Sequence, residues 1–320
     1  MTISSGLNRI IQSGAVQFEA TNRLMGQSGP IDDKHEMGAR SQDWIQNKTT
    51  QMKNTLHRIA RPGGISLQGS IPQFAPNWCF FLDLDGTLVD IAEQPEFVHI
   101  DASLHELLQR LMVVTGGAVA LISGRSIVDM DRLFSPVRLP VAGQHGLERR
   151  DTLGAVHVFE CNTERVREAA KGLERLVAQY SELKLEKKGM TLAMHYRRGP
   201  ELASRVASAM DQALCTLGDG FELLLGKMVF EIKPRGKDKG TATSEFMQEE
   251  PFNARVPVYI GDDATDESGF MLVNTMCGHS VKVGDGITRA RWRLADATAV
   301  RRWLMAFVDR YWSSSNMKRL

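Results

Sequence analysis

Apolar residues along this chain fall into two textures. Beginning at Trp78, the run Cys79-Phe80-Phe81-Leu82 is continuous, which predicts a strand buried on both faces, and it stops at Asp83. Leu104, Leu107, Leu108 and Leu111 recur at helical spacing and predict a helix over 103–114. A second continuous run, Ala118-Val119-Ala120-Leu121-Ile122, ends on Ser123, and a third, Val256-Pro257-Val258-Tyr259-Ile260, ends on Gly261-Asp262-Asp263. Strand, helix and strand in this order, with apolar strands, predict a parallel sheet covered by helices on both faces.

The second texture occupies residues 152–232. Helices are predicted over 163–179 and 201–216, each followed by two strands, near 183–187 and 190–196, then near 221–225 and 228–233. Met190, Leu192, Met194 and Tyr196 alternate with Thr191, Ala193, His195 and Arg197, the period of a strand with two different faces. Helix-strand-strand repeated twice predicts a small antiparallel sheet with two helices on one face. Residues 1–75 are polar, broken by Gly29-Pro30 and Pro62-Gly63-Gly64, and are expected to form a poorly packed extension. The resulting organisation is an α/β protein: an extension over 1–75, a Rossmann-like parallel-sheet core over 76–151 and 233–320, and an inserted α+β cap over 152–232.

Composition narrows the functional classes. A net charge of +1 over 320 residues gives no overall attraction to nucleic acid or anionic membrane, so an anionic ligand must be met locally. The four cysteines form no Cys-x-x-Cys pair, which argues against a zinc site or a disulfide framework and suits a reducing compartment. The longest nearly apolar stretch, 112–122, carries Thr115 and two glycines and is too short to span a bilayer. The first thirty residues hold no continuous hydrophobic segment of the secretory kind. These features lead to the expectation of a cytoplasmic protein that engages neither nucleic acid nor membrane.

Candidate chemistry collects where the predicted strands end. Asp83 and Asp85 follow the first strand; Asp262, Asp263 and Asp266 follow the last. Ligands of open parallel sheets bind at the carboxyl ends of strands, so these groups are expected to converge. A single strand-terminal Asp is as often a helix N-cap, but five acidic groups on two such loops exceed what capping explains. Carboxylates in one crevice repel unless a cation lies among them, and oxygen ligands favour Mg2+ over zinc or copper. Gly86 allows a sharp turn, and Thr87 and Ser123 offer hydroxyl donors. Ser123-Gly124-Arg125 precedes a predicted helix over 126–134, whose start is either a phosphate seat or a plain cap. Lys237 and Lys239 lie at another helix entry, where a lysine can neutralise phosphoryl charge or simply be solvated.

Asp83-Leu84-Asp85-Gly86-Thr87-Leu88 resembles the first motif of the haloacid dehalogenase superfamily in its phosphatase form. Ser123, Lys239 and Gly261-Asp262-Asp263 with Asp266 resemble the second, third and fourth motifs, in the right order. From about 78 to 305 the chain is similar to the bacterial trehalose-6-phosphate phosphatases. That likeness is carried by Leu121-Ile122-Ser123-Gly124-Arg125-Ser126, Gly143-Gln144-His145-Gly146-Leu147-Glu148-Arg149-Arg150 and Glu186-Lys187-Lys188-Gly189-Met190, by His195-Tyr196-Arg197 and Glu231-Ile232-Lys233-Pro234-Arg235-Gly236, and by the 261–270 segment.

The resemblance implies hydrolysis of a small-molecule sugar phosphate through an aspartyl-phosphate. Asp83 is then the nucleophile, Asp85 the general acid and base, and Ser123 and Lys239 hold the phosphoryl oxygens. Mg2+ is held by Asp83, the backbone carbonyl of Asp85, and Asp262, with Asp263 and Asp266 supporting them. Gly86, Thr87, Gly124 and Arg125 fall to the phosphate side of the substrate, and Glu186, Lys188 and Glu231 to the sugar. Two alternatives stay open: the same chemistry on another phosphate, because core motifs are shared across substrates, and a catalytically retired regulatory module. The presence of both Asp83 and Asp85 opposes the second.

Overall fold

The computed structural model describes residues 71–92, 95–226 and 228–316, so most of the expected 1–75 extension lies outside the described residues. Contacts divide the chain into two compact units. One runs up to Thr163 and adds Lys188–Thr191 and the chain from Lys233 onward; the other holds Glu164–Lys187 and Leu192–Ile232.

The first unit is built on an eight-stranded sheet. Its strands are β1 (Trp78–Leu82), β2 (Val119–Ile122), β3 (Val141–Gly143), β4 (Glu148–Arg150), β5 (Val156–Val158), β10 (Val256–Gly261), β11 (His279–Val283) and β12 (Trp292–Leu294), in the order β12-β11-β10-β1-β2-β3-β4-β5. Pairing is parallel from β12 to β3 and antiparallel from β3 to β5. The continuous apolar run of β1 serves both faces. Trp78, Phe80 and Leu82 pack with α1 (Ala102–Val114) and α7 (Ala297–Asn316), while Cys79 and Phe81 pack with α5 (Lys239–Phe246) and α6 (Glu267–Thr275). Phe80 and Phe81 are wholly buried, each worth about 1.5–3 kcal/mol against exposure. A one-residue slip of this strand would exchange its two faces, so the register Phe80↔Val258 and Phe81↔Tyr259 is fixed by size as well as by hydrogen bonds.

Two boundaries differ from the sequence expectation. The core does not stop at residue 151: the hairpin of β4 and β5 extends its sheet, and the inserted unit begins at Glu164. Phe74 likewise belongs to the core, with its ring against Trp78, Trp303 and Phe307.

The inserted unit carries a four-stranded sheet, β6 (Lys184–Lys187), β7 (Leu192–His195), β9 (Val229–Pro234) and β8 (Phe221–Gly226), in that order. Helices α3 (Thr163–Gln179) and α4 (Ala203–Leu217) cover one face through Leu192, Met194, Phe230 and Ile232, as the alternation in β7 predicts. Glu186 and Glu231 both stand opposite Ala193 in register, on the other face. Among the described residues no helix is long and apolar enough to cross a membrane.

Candidate active site

The carboxyl ends of β1 and β10 lie side by side, with Asp83 N–H donating to the Ile260 carbonyl at 3.0 Å. Asp83 is 4% exposed. Both its oxygens are held: Lys239 Nζ donates to Oδ1 at 2.8 Å, and the Thr87 hydroxyl donates to Oδ2 at 3.0 Å. Thr87 is wholly buried, and its hydroxyl orients the Asp83 carboxylate. The turn after Asp83 depends on Gly86. Its φ is +84°, and a Cβ there would lie 2.3 Å from Asp262 Oδ2, so any other residue would displace that carboxylate.

Lys239 is the first residue of α5, whose start is fixed by a capping box between Asp238 and Thr241. Besides Asp83, its ammonium donates to Asp266 Oδ1 at 2.7 Å. Burial pulls the Lys239 pKa down, but the Asp266 and Asp83 carboxylates outweigh it and hold the ammonium above the ordinary lysine range. Asp266 also accepts from Tyr259 Oη at 3.0 Å and, on Oδ2, from the Asp263 N–H at 3.0 Å. Asp266 is thus occupied on both oxygens and serves to place Lys239. Asp263 contributes its backbone N–H to this arrangement.

Asp83, Asp262 and Asp266 each bring one carboxylate oxygen within 4.8 Å of the others. Burial pushes the Asp83 carboxyl well above the usual carboxylate range; Lys239 pulls it back, and Asp266 and Asp262 add to the rise. A divalent cation among oxygen donors would relieve that excess of negative charge, so the residues present fit such an ion. Asp83, Asp262 and Asp266 are the carboxylates placed to hold it, and Asp266 also accepts from Lys239, Tyr259 and the Asp263 N–H.

Asp85, with a side chain 35% exposed, is gripped by Arg125: Nε reaches Oδ2 and Nη2 reaches Oδ1, both at 2.7 Å. Arg125 therefore contacts the candidate acid–base, a contact its expected substrate role did not include. Ser123 Oγ accepts from Arg125 N–H at 3.1 Å, leaving its own proton to donate elsewhere. The helix α2 (Ile127–Phe134) starts with the plain cap, one of the two readings its sequence allows: Ser126 accepts from Asp129 N, and Glu148 Oε1 accepts from Ile127 N at 2.6 Å.

Lys188 lies one residue beyond β6, in the turn to Thr191, and Nζ donates to the Gly124 carbonyl at 3.0 Å. This places Lys188 against the Ser123–Arg125 loop. In the inserted unit, Glu186 Oε2 pairs with His195 Nε2 at 3.0 Å, and Glu231 is 8% exposed.

Sequence reading missed several residues here. Tyr259 and Lys282 stand in apolar strands without a solvated face, and that is the signal that each must have a buried polar partner. His145 adopts φ +58° in the turn after β3 and lays its ring on Gly124, where a Cβ would come within 2.8 Å of it. A positive φ at a ring-bearing residue is strained, and such strain concentrates at functional sites.

A family model described as trehalose-phosphatase matches residues 81–296. The trehalose-6-phosphate phosphatase of Escherichia coli K12 is 44% identical over 233 residues, which cover 73% of this chain and 87% of that protein. Among solved structures, a trehalose-6-phosphate phosphatase related protein superposes with a TM-score of 0.58 at 27% identity, over 72% of this chain and 96% of its own. A phosphatase of the haloalkanoate (HAD) enzyme superfamily from Bacteroides thetaiotaomicron superposes with a TM-score of 0.51 at 14% identity, over 75% and 98%, and shares the fold. With two thirds of its length matched by the family model, the chain belongs to the trehalose-phosphatase family.

Proposed function

We propose that the chain hydrolyses trehalose 6-phosphate to trehalose and phosphate, with Asp83 as nucleophile and Mg2+ as cofactor. The observation that carries this reading is the contact of Lys239 with both Asp83 and Asp266, beside Asp262. It fixes one carboxylate oxygen of Asp83, and three carboxylates gathered against one ammonium leave an excess of negative charge that a hard cation neutralises. The chemistry Mg2+ supplies, held by Asp83, Asp262 and the backbone carbonyl of Asp85, is reduced repulsion between anionic nucleophile and phosphate and stabilised charge in the transition state.

The residues divide the remaining work. Asp83 attacks phosphorus and carries the phosphoryl group, splitting one displacement into two. Asp85 gives its proton to the leaving sugar oxygen and then takes one from the attacking water, which requires that it leave the grip of Arg125. Lys239 keeps a third N–H for a phosphoryl oxygen after serving Asp83 and Asp266, and Ser123 offers its hydroxyl to another. Gly124 and Arg125 border the phosphate. Glu186, Lys188 and Glu231 read the sugar hydroxyls, and the inserted unit acts as the cap. The substrate is a small sugar phosphate met in the cytoplasm.

Phosphate release from trehalose 6-phosphate, sucrose 6-phosphate, glucose 6-phosphate and p-nitrophenyl phosphate, each with and without Mg2+, tests the reading. Trehalose 6-phosphate should have the highest kcat/KM, and chelation should abolish its hydrolysis. A higher kcat/KM on another sugar phosphate would remove the substrate assignment, and full activity in excess chelator would remove the cofactor.

A further inference from the structure

Lys282 lies on β11 opposite Gly261 of β10, and it is 5% exposed. A lysine inside a parallel sheet is stable only where its ammonium is hydrogen-bonded. Here Nζ donates to the carbonyl oxygen of Asp262 and to that of Val283, the latter at 3.1 Å. The Asp262 carbonyl belongs to the same peptide unit as the Asp263 N–H, which donates to Asp266 Oδ2 at 3.0 Å. That peptide therefore has a cation at its oxygen and an anion at its N–H, both aligned with its dipole. Beyond it, Asp266 holds Lys239 at 2.7 Å and Lys239 holds Asp83 at 2.8 Å. The charges alternate from Lys282 through the peptide to Asp83.

The side chain of Asp262 is confined from its other side by the Gly86 backbone, where even a Cβ would lie 2.3 Å from Oδ2. What remains to be fixed is the peptide that carries Asp262. We infer that Lys282 is a positioning residue which, by clamping this peptide, sets the direction in which the Asp262 carboxylate meets Asp83 and so tunes the affinity for a divalent cation. This rests on the magnesium-phosphatase reading above. Such outer partners of metal ligands typically change affinity by roughly 10–100-fold when removed.

The test is Mg2+ binding to the full chain by calorimetry without substrate, in Lys282→Met, which has no donor, and Lys282→Gln, which can keep one uncharged hydrogen bond. Metal-free melting temperatures and circular dichroism accompany it. Folded Lys282→Met should bind Mg2+ on the order of 10–100-fold more weakly than wild type. Its kcat on p-nitrophenyl phosphate should approach wild type as Mg2+ is raised, because the clamp acts on metal affinity. If the Met variant does not fold, Lys282→Gln decides, with a weakening of about tenfold expected. A folded variant with wild-type Mg2+ affinity overturns the inference and leaves the function intact. Wild type that binds no divalent cation overturns both.

Discussion

The two units solve opposite problems with polar residues. In the core, carboxylates at the ends of β1 and β10 are buried in a sheet covered on both faces, and each oxygen of Asp83 and Asp266 is held by a named donor. In the inserted unit, helices cover one face, and the other carries Glu186, His195 and Glu231 around the small side chain of Ala193. Glu186 and Glu231 stand on the strands flanking β7, two strand spacings or about 9–10 Å apart. The core arrangement fixes a reaction whose geometry must not vary. The sheet face offers groups whose identity can change without disturbing that geometry. On the proposed function, chemistry and specificity should be separable by mutation.

The largest effect should come from Asp83→Asn. Turnover on every phosphate ester should fall by more than about a thousandfold, some 4 kcal/mol, because no other group can accept the phosphoryl transfer. The fold should survive. Burial raises the Asp83 pKa above its ordinary 3.8, so in the metal-free protein this group favours the folded state below that value and the contribution is lost as pH rises through the raised one. Metal-free wild type should accordingly melt lower at neutral than at mildly acidic pH, and Asp83→Asn should flatten that slope. Residual activity of several per cent in clean protein would remove Asp83 as nucleophile. Asp85→Asn should lose about 10²–10⁴ in kcat with Mg2+ affinity kept, since its side chain meets Arg125 and not the cation.

These predictions concern residues that were legible in the sequence, and the reason is physical. A continuous apolar run that stops on Asp83 or Asp262 announces both the strand and the place where its ligand groups emerge. The strands β3, β4 and β5 were not legible: each is three residues long, and Glu148-Arg149-Arg150 has no apolar signal at all. Buried Arg149 is met by Glu245 and Glu249, and buried Arg150 by Asp131, pairings across 19 to 100 residues that no local pattern encodes. The antiparallel extension of the sheet, and with it the true start of the inserted unit, stayed hidden for that reason. The Arg125–Asp85 pair, across 40 residues, is likewise beyond any local pattern.

An intermediate effect is expected on the polar face of the inserted sheet. Glu186→Gln and Glu231→Gln should each lower kcat/KM for trehalose 6-phosphate by about 10–100-fold, as lost charge-assisted hydrogen bonds of roughly 1.5–3 kcal/mol do. On p-nitrophenyl phosphate, which has no sugar hydroxyls, the loss should stay within about twofold. Glu186 needs a control, because its carboxylate also holds His195. His195→Gln should reproduce part of the Glu186→Gln loss if the histidine orients that carboxylate. Equal losses on both substrates would move these residues out of the specificity role and erase the division of labour between units.

The smallest effect should come from Glu148→Ala, at the start of α2, whose N–H groups have acceptors of their own. Glu148 takes the Ile127 N–H and Ser126 takes that of Asp129. Losing one such acceptor costs about 1 kcal/mol of stability, and the negative charge near the helix start adds a few tenths more. For a core of this size that is a fall of roughly 2–4 °C in melting temperature. Turnover at a temperature well below melting should change by less than about twofold if, as proposed, Ser123 and Lys239 and not the start of α2 hold the phosphoryl oxygens. The alternative predicts the reverse. Were the α2 N–H groups the phosphate seat, Glu148 would compete with substrate for them, and its removal would tighten phosphate binding. Product inhibition by inorganic phosphate separates the two: an unchanged inhibition constant keeps Glu148 as a helix acceptor, whereas a tenfold tighter one would return the helix start to the active site.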